Sequence, residues 1–269
     1  MNSKEAALYS KTRGFQVATY RLYVPDFEIK ADDKILDVGC GTGDLAYEFG
    51  DVAQSVIGFD ISKEMINFAR HSYKRPNVTY ELADVLSCVD IFPDWKGAFD
   101  KVVSIHVLHW VKDRKGAFQS IHDCLKPGGE CFLLISGPMN QIMGHGDDEL
   151  PHYLKNHDKW KEHLKGYENK FYNRLTLEDN VKLLESVGFE VVKGHSYKPC
   201  DELDIDKDQI KDYLQTLLGH LSYLPEQYRD KFLDDATDWC KQNFPVNQRG
   251  NAYFKIEIIM LHAKKTKKE

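Results

Sequence analysis

Three glycines at alternate positions, Gly39, Gly41 and Gly43, follow an apolar run that carries one acid, Asp37, in the stretch ILDVGCGTGDLAYEF. Glycine reaches positive φ cheaply and lets a ligand lie close to the main chain. A turn from strand to helix needs one or two such residues, so three at this spacing point to a bound molecule. A dinucleotide fingerprint would read G-x-G-x-x-G, and a P-loop would read G-x-x-x-x-G-K-[ST]. Here the pattern is G-x-G-x-G with no lysine after it. Asp37 would repel a pyrophosphate and suits a cationic or hydroxyl-bearing ligand.

Two further acids fall in matching places. Asp60 stands near the end of SVIGFDI and Asp84 closes VTYELAD. A carboxylate at a strand tip can accept from a ribose diol. One at the next tip can accept from an exocyclic amine such as adenine N6. Either acid alone reads as a cap or a surface charge. Acids at three successive apolar runs read as one ligand surface.

The elements that must position them alternate. KILDVGC, SVIGFDI, VTYELAD, FDKVVSIHVLHW and GECFLLISG are short apolar runs rich in β-branched residues and read as strands. Helical patterns lie between them, with Ser62 placed as an N-cap and KPGG as a stop. The alternation predicts an α/β, Rossmann-like, mostly parallel sheet with helices on both faces. VGFEVVKGHSY and YFKIEIIMLHAKK add two late strands, and a helix with Thr176 as its cap leads into the first. Two stretches, 138–175 and 204–247, break the alternation and read as a cover over the carboxyl ends of the strands, where open α/β sheets bind ligands.

Bulk composition narrows the classes. The chain has 269 residues, 42% of them hydrophobic, enough for one sizeable core or a core with a smaller lobe. Lys and Arg number 36 against 42 Asp and Glu, and a net charge of −6 argues against non-specific nucleic-acid binding. The basic tail AKKTKKE reads as a solvated end. No run approaches the roughly 20 apolar residues a membrane span needs, and the opening residues lack the apolar core of a secretory signal, so a cytoplasmic protein without a membrane partner is expected. Cys40, Cys88, Cys124, Cys131, Cys200 and Cys240 form no CxxC pair and read as free thiols, with no metal site.

The segments LDVGCGTGDL, VIGFDISKEMINFAR, ELADV, FDKVVSIHVLHWV and LKPGGECFLL together resemble the class I S-adenosylmethionine-dependent methyltransferases, in order over about the first half of the chain. The resemblance implies a seven-stranded sheet whose last strand, IEIIMLHA, is antiparallel to the rest. It implies S-adenosylmethionine as cofactor, with Gly39, Cys40, Gly41 and Gly43 against the methionine part and Asp37 near its ammonium. Asp60 would take the ribose hydroxyls, Ile61 an adenine face, and Asp84 with Val85 the adenine edge, with His106 also at the cofactor. The domains expected are a cap helix in 1–30, a cofactor core in 31–137, cap insertions at 138–175 and 204–247, and remaining core elements in 176–203 and 248–269.

The acceptor is approached the same way. SIHVLHW stands where DNA adenine enzymes carry D/N-P-P-[YF]. LHWVKDRKGAFQSIHDCLKPGGECFLL, HDKWKEHLKGYENKFY and LYSKTRGFQVATY are similar to the arthropod juvenile hormone acid methyltransferases. That likeness implies carboxyl O-methylation of an apolar acid, as in juvenile hormone biosynthesis, with Gln16 and Trp110 as neutral hands on the carboxylate. Tyr20, His109, Trp160 and Tyr172 are the expected substrate contacts. His106 stands where the insect enzymes tend to have an aromatic residue, and it would be the candidate base if the acceptor were a phenol or an amine. Two alternatives stay open: a trans-aconitate-like polycarboxylate enzyme using Arg13, Arg21 and Arg174, and a cofactor-binding relative that catalyses nothing. The expected partner is a small carboxylic acid, the expected state a monomer or homodimer.

Overall fold

A computed structural model describes residues 3–12, 14–24, 27–198, 204–205, 207–246, 251–253 and 255–266. Its strands are β1 (Lys34–Val38), β2 (Ser55–Asp60), β3 (Val78–Leu82), β4 (Phe99–Ile105), β5 (Leu125–Asn140), β6 (Phe189–Tyr197), β7 (Asp204–Ile205), β8 (Ala252–Tyr253) and β9 (Ile256–Lys265). All but β7 and β8 form one seven-stranded sheet in the order β3-β2-β1-β4-β5-β9-β6. Strands β1 to β5 pair in parallel, while β9 runs antiparallel to both β5 and β6. That is the arrangement expected from the likeness to methyltransferases.

The helices are α1 (Ser3–Thr12), α2 (Gly14–Tyr23), α3 (Asp44–Phe49), α4 (Lys63–Ser72), α5 (Cys88–Ile91), α6 (Arg114–Cys124), α7 (Leu150–Asn156), α8 (Leu177–Ser186), α9 (Ile210–Leu217) and α10 (Glu226–Asn243). Both expected caps form. The Ser62 hydroxyl accepts from Met65 N, and Thr176 makes a reciprocal capping box with Asp179. Two details differ from expectation. The N-terminal stretch holds two helices rather than one. The KPGG segment is already part of β5, because α6 stops at Cys124 and pairing with β4 begins at Leu125.

The sheet separates two apolar cores, and period-2 alternation decides which side chain joins which. On β5, Phe132 and Leu134 face one core while Cys131, Leu133 and Ile135 face the other. On β9, Ile258 and Met260 oppose Ile259, Leu261 and Ala263 in the same way. The first core continues into the helices outside the repeat: α1 lies against α9 and α4, and α10 lies against α9 and α7. Cys40, Cys88, Cys124, Cys131 and Cys240 are free and buried, while Cys200 lies outside the described residues. Among the described residues no helix is long and apolar enough to cross a membrane.

One buried group strains this helical layer. His220 is 0% exposed, its ring stacks on Tyr167 at 3.9 Å, and neither ring nitrogen has a partner. Burial lowers its pKa to about 4. The folded state thus disfavours the charged ring, and the unfolded chain binds the proton first. Stability present above pH 6.5 is lost as the pH falls from there through about 4. His220→Phe keeps a planar ring and removes two unsatisfied nitrogens. The variant is expected to be more stable at pH 7 by about 1–3 kcal/mol. It should also lack an acid loss of about 3 kcal/mol in the wild type, the size that a pKa lowered from 6.5 to about 4 implies. Urea unfolding of both proteins at a series of pH values measures this, and parallel pH profiles would reject it.

Candidate functional site

The turn after β1 is fixed from β2. The N–H groups of Gly39 and Cys40 both donate to the Phe59 carbonyl, at 2.8 and 2.9 Å. Gly39, Gly41 and Gly43 have φ of 74, 55 and 86°, all left-handed. A Cβ on Gly39 would lie 2.3 Å from Val107 Cγ2, and one on Gly43 would lie 2.7 Å from Ala69 Cβ and from the Tyr80 ring. This corrects the sequence argument. The turn needs all three glycines for its own backbone, so their number is not separate evidence for a ligand. Gly39, Cys40 and Gly41 nevertheless border the main cavity; Gly43 instead caps α3 away from its wall.

The acids take up different tasks. Asp60, at the end of β2, accepts from Gly41 N through Oδ2 (3.1 Å) and from Ser62 N through Oδ1 (2.8 Å). Each oxygen keeps a second acceptor direction. Burial raises its pKa, against these hydrogen bonds, which lower it. Asp84 accepts from Leu86 N at 3.0 Å and, with Val85, borders the same cavity. Between them Ile61 is 71% exposed, an apolar side chain with nothing yet to cover it. Asp37 is buried on β1 behind the turn and is not on the cavity wall. A diol acceptor, an amine acceptor and an uncovered aliphatic surface fit the ribose and adenine of S-adenosylmethionine.

The cavity, about 590 Å³, continues past the ends of β4 and β5. Its far side is lined by Trp110, Ile142, Met143, Phe171, Tyr172, Tyr213 and Leu217, with Tyr9 from α1. Trp110 follows β4 and sets its ring edge-on to Phe171 at 5.0 Å, and it is 39% exposed. His109 is buried beside it. Its Nδ1 accepts from Ser136 N at 3.1 Å, which leaves Nε2 as the protonated, donating nitrogen. Burial, then the neighbouring His106 and Arg114, depress its pKa well below the usual histidine value, so it stays neutral. His106 has φ 57°, the one described non-glycine residue with positive φ, and its Nε2 meets the Thr19 hydroxyl at 2.8 Å.

The expected contacts divide. His106, His109, Trp110 and Tyr172 all border the cavity. Tyr20 and Trp160 do not. Tyr20 packs edge-on between Phe49 and Phe132, and Trp160 donates its N–H to Asp235 at 3.0 Å inside the helical layer. Gln16 is in α2, but its side chain lies outside what the structure describes. Sequence reasoning did not single out Tyr9, Ser136 or Asn140 as wall residues. Ser136 and Asn140 sit at the carboxyl end of β5, and that position was the available signal.

Residues 36–133 match the family described as a methyltransferase domain. The juvenile hormone acid O-methyltransferase of Drosophila melanogaster is 29% identical over 254 residues, 87% of this chain and 82% of that protein. The enzyme of the same name from Bombyx mori is 26% identical, over 88% of this chain and 86% of its own. Among solved structures, an S-adenosylmethionine-dependent methyltransferase from Mesorhizobium loti superposes with a TM-score of 0.56 at 18% identity, covering 94% of this chain and 98% of that one. The chain carries a methyltransferase domain at residues 36–133, and the fold, the site and these likenesses together support S-adenosylmethionine as its cofactor.

Asp60→Ala should weaken S-adenosylmethionine binding by about ten- to a hundredfold, the loss of one charge-assisted hydrogen bond. Calorimetric titration measures it. Unchanged affinity in a variant with intact circular dichroism would remove Asp60 from the cofactor site.

Proposed function

We propose that the chain esterifies the carboxylate of an apolar acid of the sesquiterpenoid or fatty class, such as juvenile hormone acid or farnesoic acid. One observation carries the reading: past Asp60 and Asp84, no described carboxylate borders the cavity, and its far side is aromatic and aliphatic with neutral polar groups, its two lysines, Lys112 and Lys170, being exposed. The likeness to the two insect enzymes supports the same acceptor class. In this reading the helices of 1–30, 138–175 and 204–247 act as a cap on the cofactor core.

A carboxylic acid is ionised at pH 7. It needs no general base, and catalysis consists of holding it in line in a place shielded from water. S-adenosylmethionine supplies a methyl group on a sulfonium sulfur. On the protein side, the Trp110 indole N–H can only donate, and so can His109 Nε2–H in the tautomer that Ser136 imposes. Gln16 is the third donor by resemblance. Neutral donors orient a carboxylate without placing a full counter-charge on it that would weaken it as a nucleophile. Phe171, Tyr172 and Tyr213 keep water from its other face.

The polycarboxylate alternative has less support. Arg21 pairs with Glu48 at the surface, Arg174 borders a different cavity, and Arg13 lies outside the described residues. A panel of acids with labelled cofactor should therefore show ester formation from long apolar acids and little from citrate-like polyacids. Turnover confined to small polyacids would reverse the assignment.

Trp110→Phe should lose one hydrogen bond to an anion, about ten- to a hundredfold in kcat/KM, with cofactor affinity little changed. No group needs to lose a proton before attack. The kcat profile should therefore show no limb near pH 6.5 that disappears in His106→Gln. Such a limb, lost in that variant, would make His106 a base and the acceptor a hydroxyl or an amine.

A further inference from the structure

A second cavity, of about 660 Å³, adjoins the first and shares Val111, Lys112 and Tyr172 with it. Its character is different. Lys112, Arg114, Lys155 and Arg174 line it, against a single carboxylate, Glu168, in a chain of net charge −6. Among the described residues Lys112, Lys155 and Arg174 enter no ion pair. The two histidines on its wall are engaged elsewhere, His145 with the Phe171 carbonyl and His152 with Asp147.

Arg114 is the informative residue. Its side chain is 4% exposed, at the start of α6. Nη1 donates to Asn180 Oδ1 at 3.1 Å and Nη2 to the Tyr172 carbonyl at 3.0 Å. Both partners are neutral, and Nε has none. A guanidinium withdrawn from water ordinarily faces a carboxylate or another anion. The cost of having none is visible in a pKa lowered to about 10 by burial. A buried cation lacking a counter-charge, on the wall of a cavity that carries three more cations, is a built complement to an oxyanion.

We propose that this cavity is an oxyanion subsite, distinct from the methyl-transfer chamber, for a phosphate or carboxylate group. The group belongs to a separate small ligand, because the apolar acid proposed as acceptor has a single carboxylate and places it in the methyl-transfer chamber. Tyr172 borders both cavities. Its N–H donates to the His109 carbonyl at 2.6 Å, and its carbonyl receives Arg114. An anion drawing on Arg114 therefore acts on the carbonyl of the residue whose N–H holds the His109 carbonyl.

Inorganic phosphate is the probe, titrated at constant ionic strength against chloride and followed by calorimetry and phosphorus NMR. Saturable binding is expected, weakened about tenfold or more in Arg174→Gln and in Lys155→Gln through loss of one charge-assisted contact. S-adenosylmethionine affinity should be unchanged in both, and Arg21→Gln should bind phosphate as the wild type does. These positions are at the cavity rim, so the test does not depend on an Arg114 variant folding. Binding no stronger than the chloride control, or equally strong in all variants, overturns the proposal. This arm needs no turnover, so it stands apart from the identity of the methyl acceptor. With an active apolar acid as acceptor, phosphate that raises only KM would place the acceptor's own carboxylate in this cavity and overturn the proposal. Phosphate that lowers only kcat assigns the oxyanion to a separate ligand.

Discussion

One carbonyl oxygen, that of Phe59, receives the N–H groups of both Gly39 and Cys40. That shared acceptor fastens the turn after β1 onto the end of β2. Much of the cofactor surface follows from it. With Gly39 and Cys40 held there, Gly41 N reaches the Asp60 carboxylate, whose other oxygen starts α4 through Ser62. The turn can lie so close only because β2 has glycine at 58, where a Cβ would fall 2.9 Å from Cys40 Cβ. A glycine inside a strand weakens it in general. Here it is the condition for a neighbouring main chain to approach. Val107 completes the fit by filling the space over Gly39.

The sheet was legible in the sequence because its central strands, β1, β4 and β9, are apolar runs buried on both faces. Ser62 and Thr176 could be assigned as caps from residue type and position alone. The antiparallel sense of β9 came from the resemblance, and its place between β5 and β6 from the structure alone, since a strand pattern does not name its neighbours. The cap was the least legible part. An aromatic on an amphipathic helix looks the same whether it faces a packed layer or a cavity. Tyr20 and Trp160 turned out to be packing, while Tyr9 and Tyr213 reach the wall. The difference is made by partners distant in sequence: Asp235 takes the Trp160 N–H, and Phe132 closes on Tyr20. The glycine triplet shows the opposite limit. It marked the right place for an incomplete reason, because positive φ at all three positions accounts for the residue type before any ligand is considered.

The two cavities, which share Val111, Lys112 and Tyr172, set different electrostatic conditions. In the methyl-transfer chamber the polar groups near the acceptor side are neutral, and the lysines, Lys112 and Lys170, are exposed at the rim. His109 remains neutral there because burial penalises its charged form and Arg114 adds a repulsion. The buried Arg114 beyond the wall and the exposed cations at the rim act at a distance. Their fields draw an anion toward the site, and such a field governs encounter more than the final contact. On the proposed reading, attraction and orientation are divided between residues. Lysines and arginines supply the first, and Trp110, His109 and Gln16 the second. A guanidinium placed directly on the acceptor carboxylate would supply both at once, but its full charge would stabilise the ground-state anion more than the transition state, where that charge is being neutralised by bond formation. Keeping the cations one wall away avoids that penalty while preserving the preference for an acid.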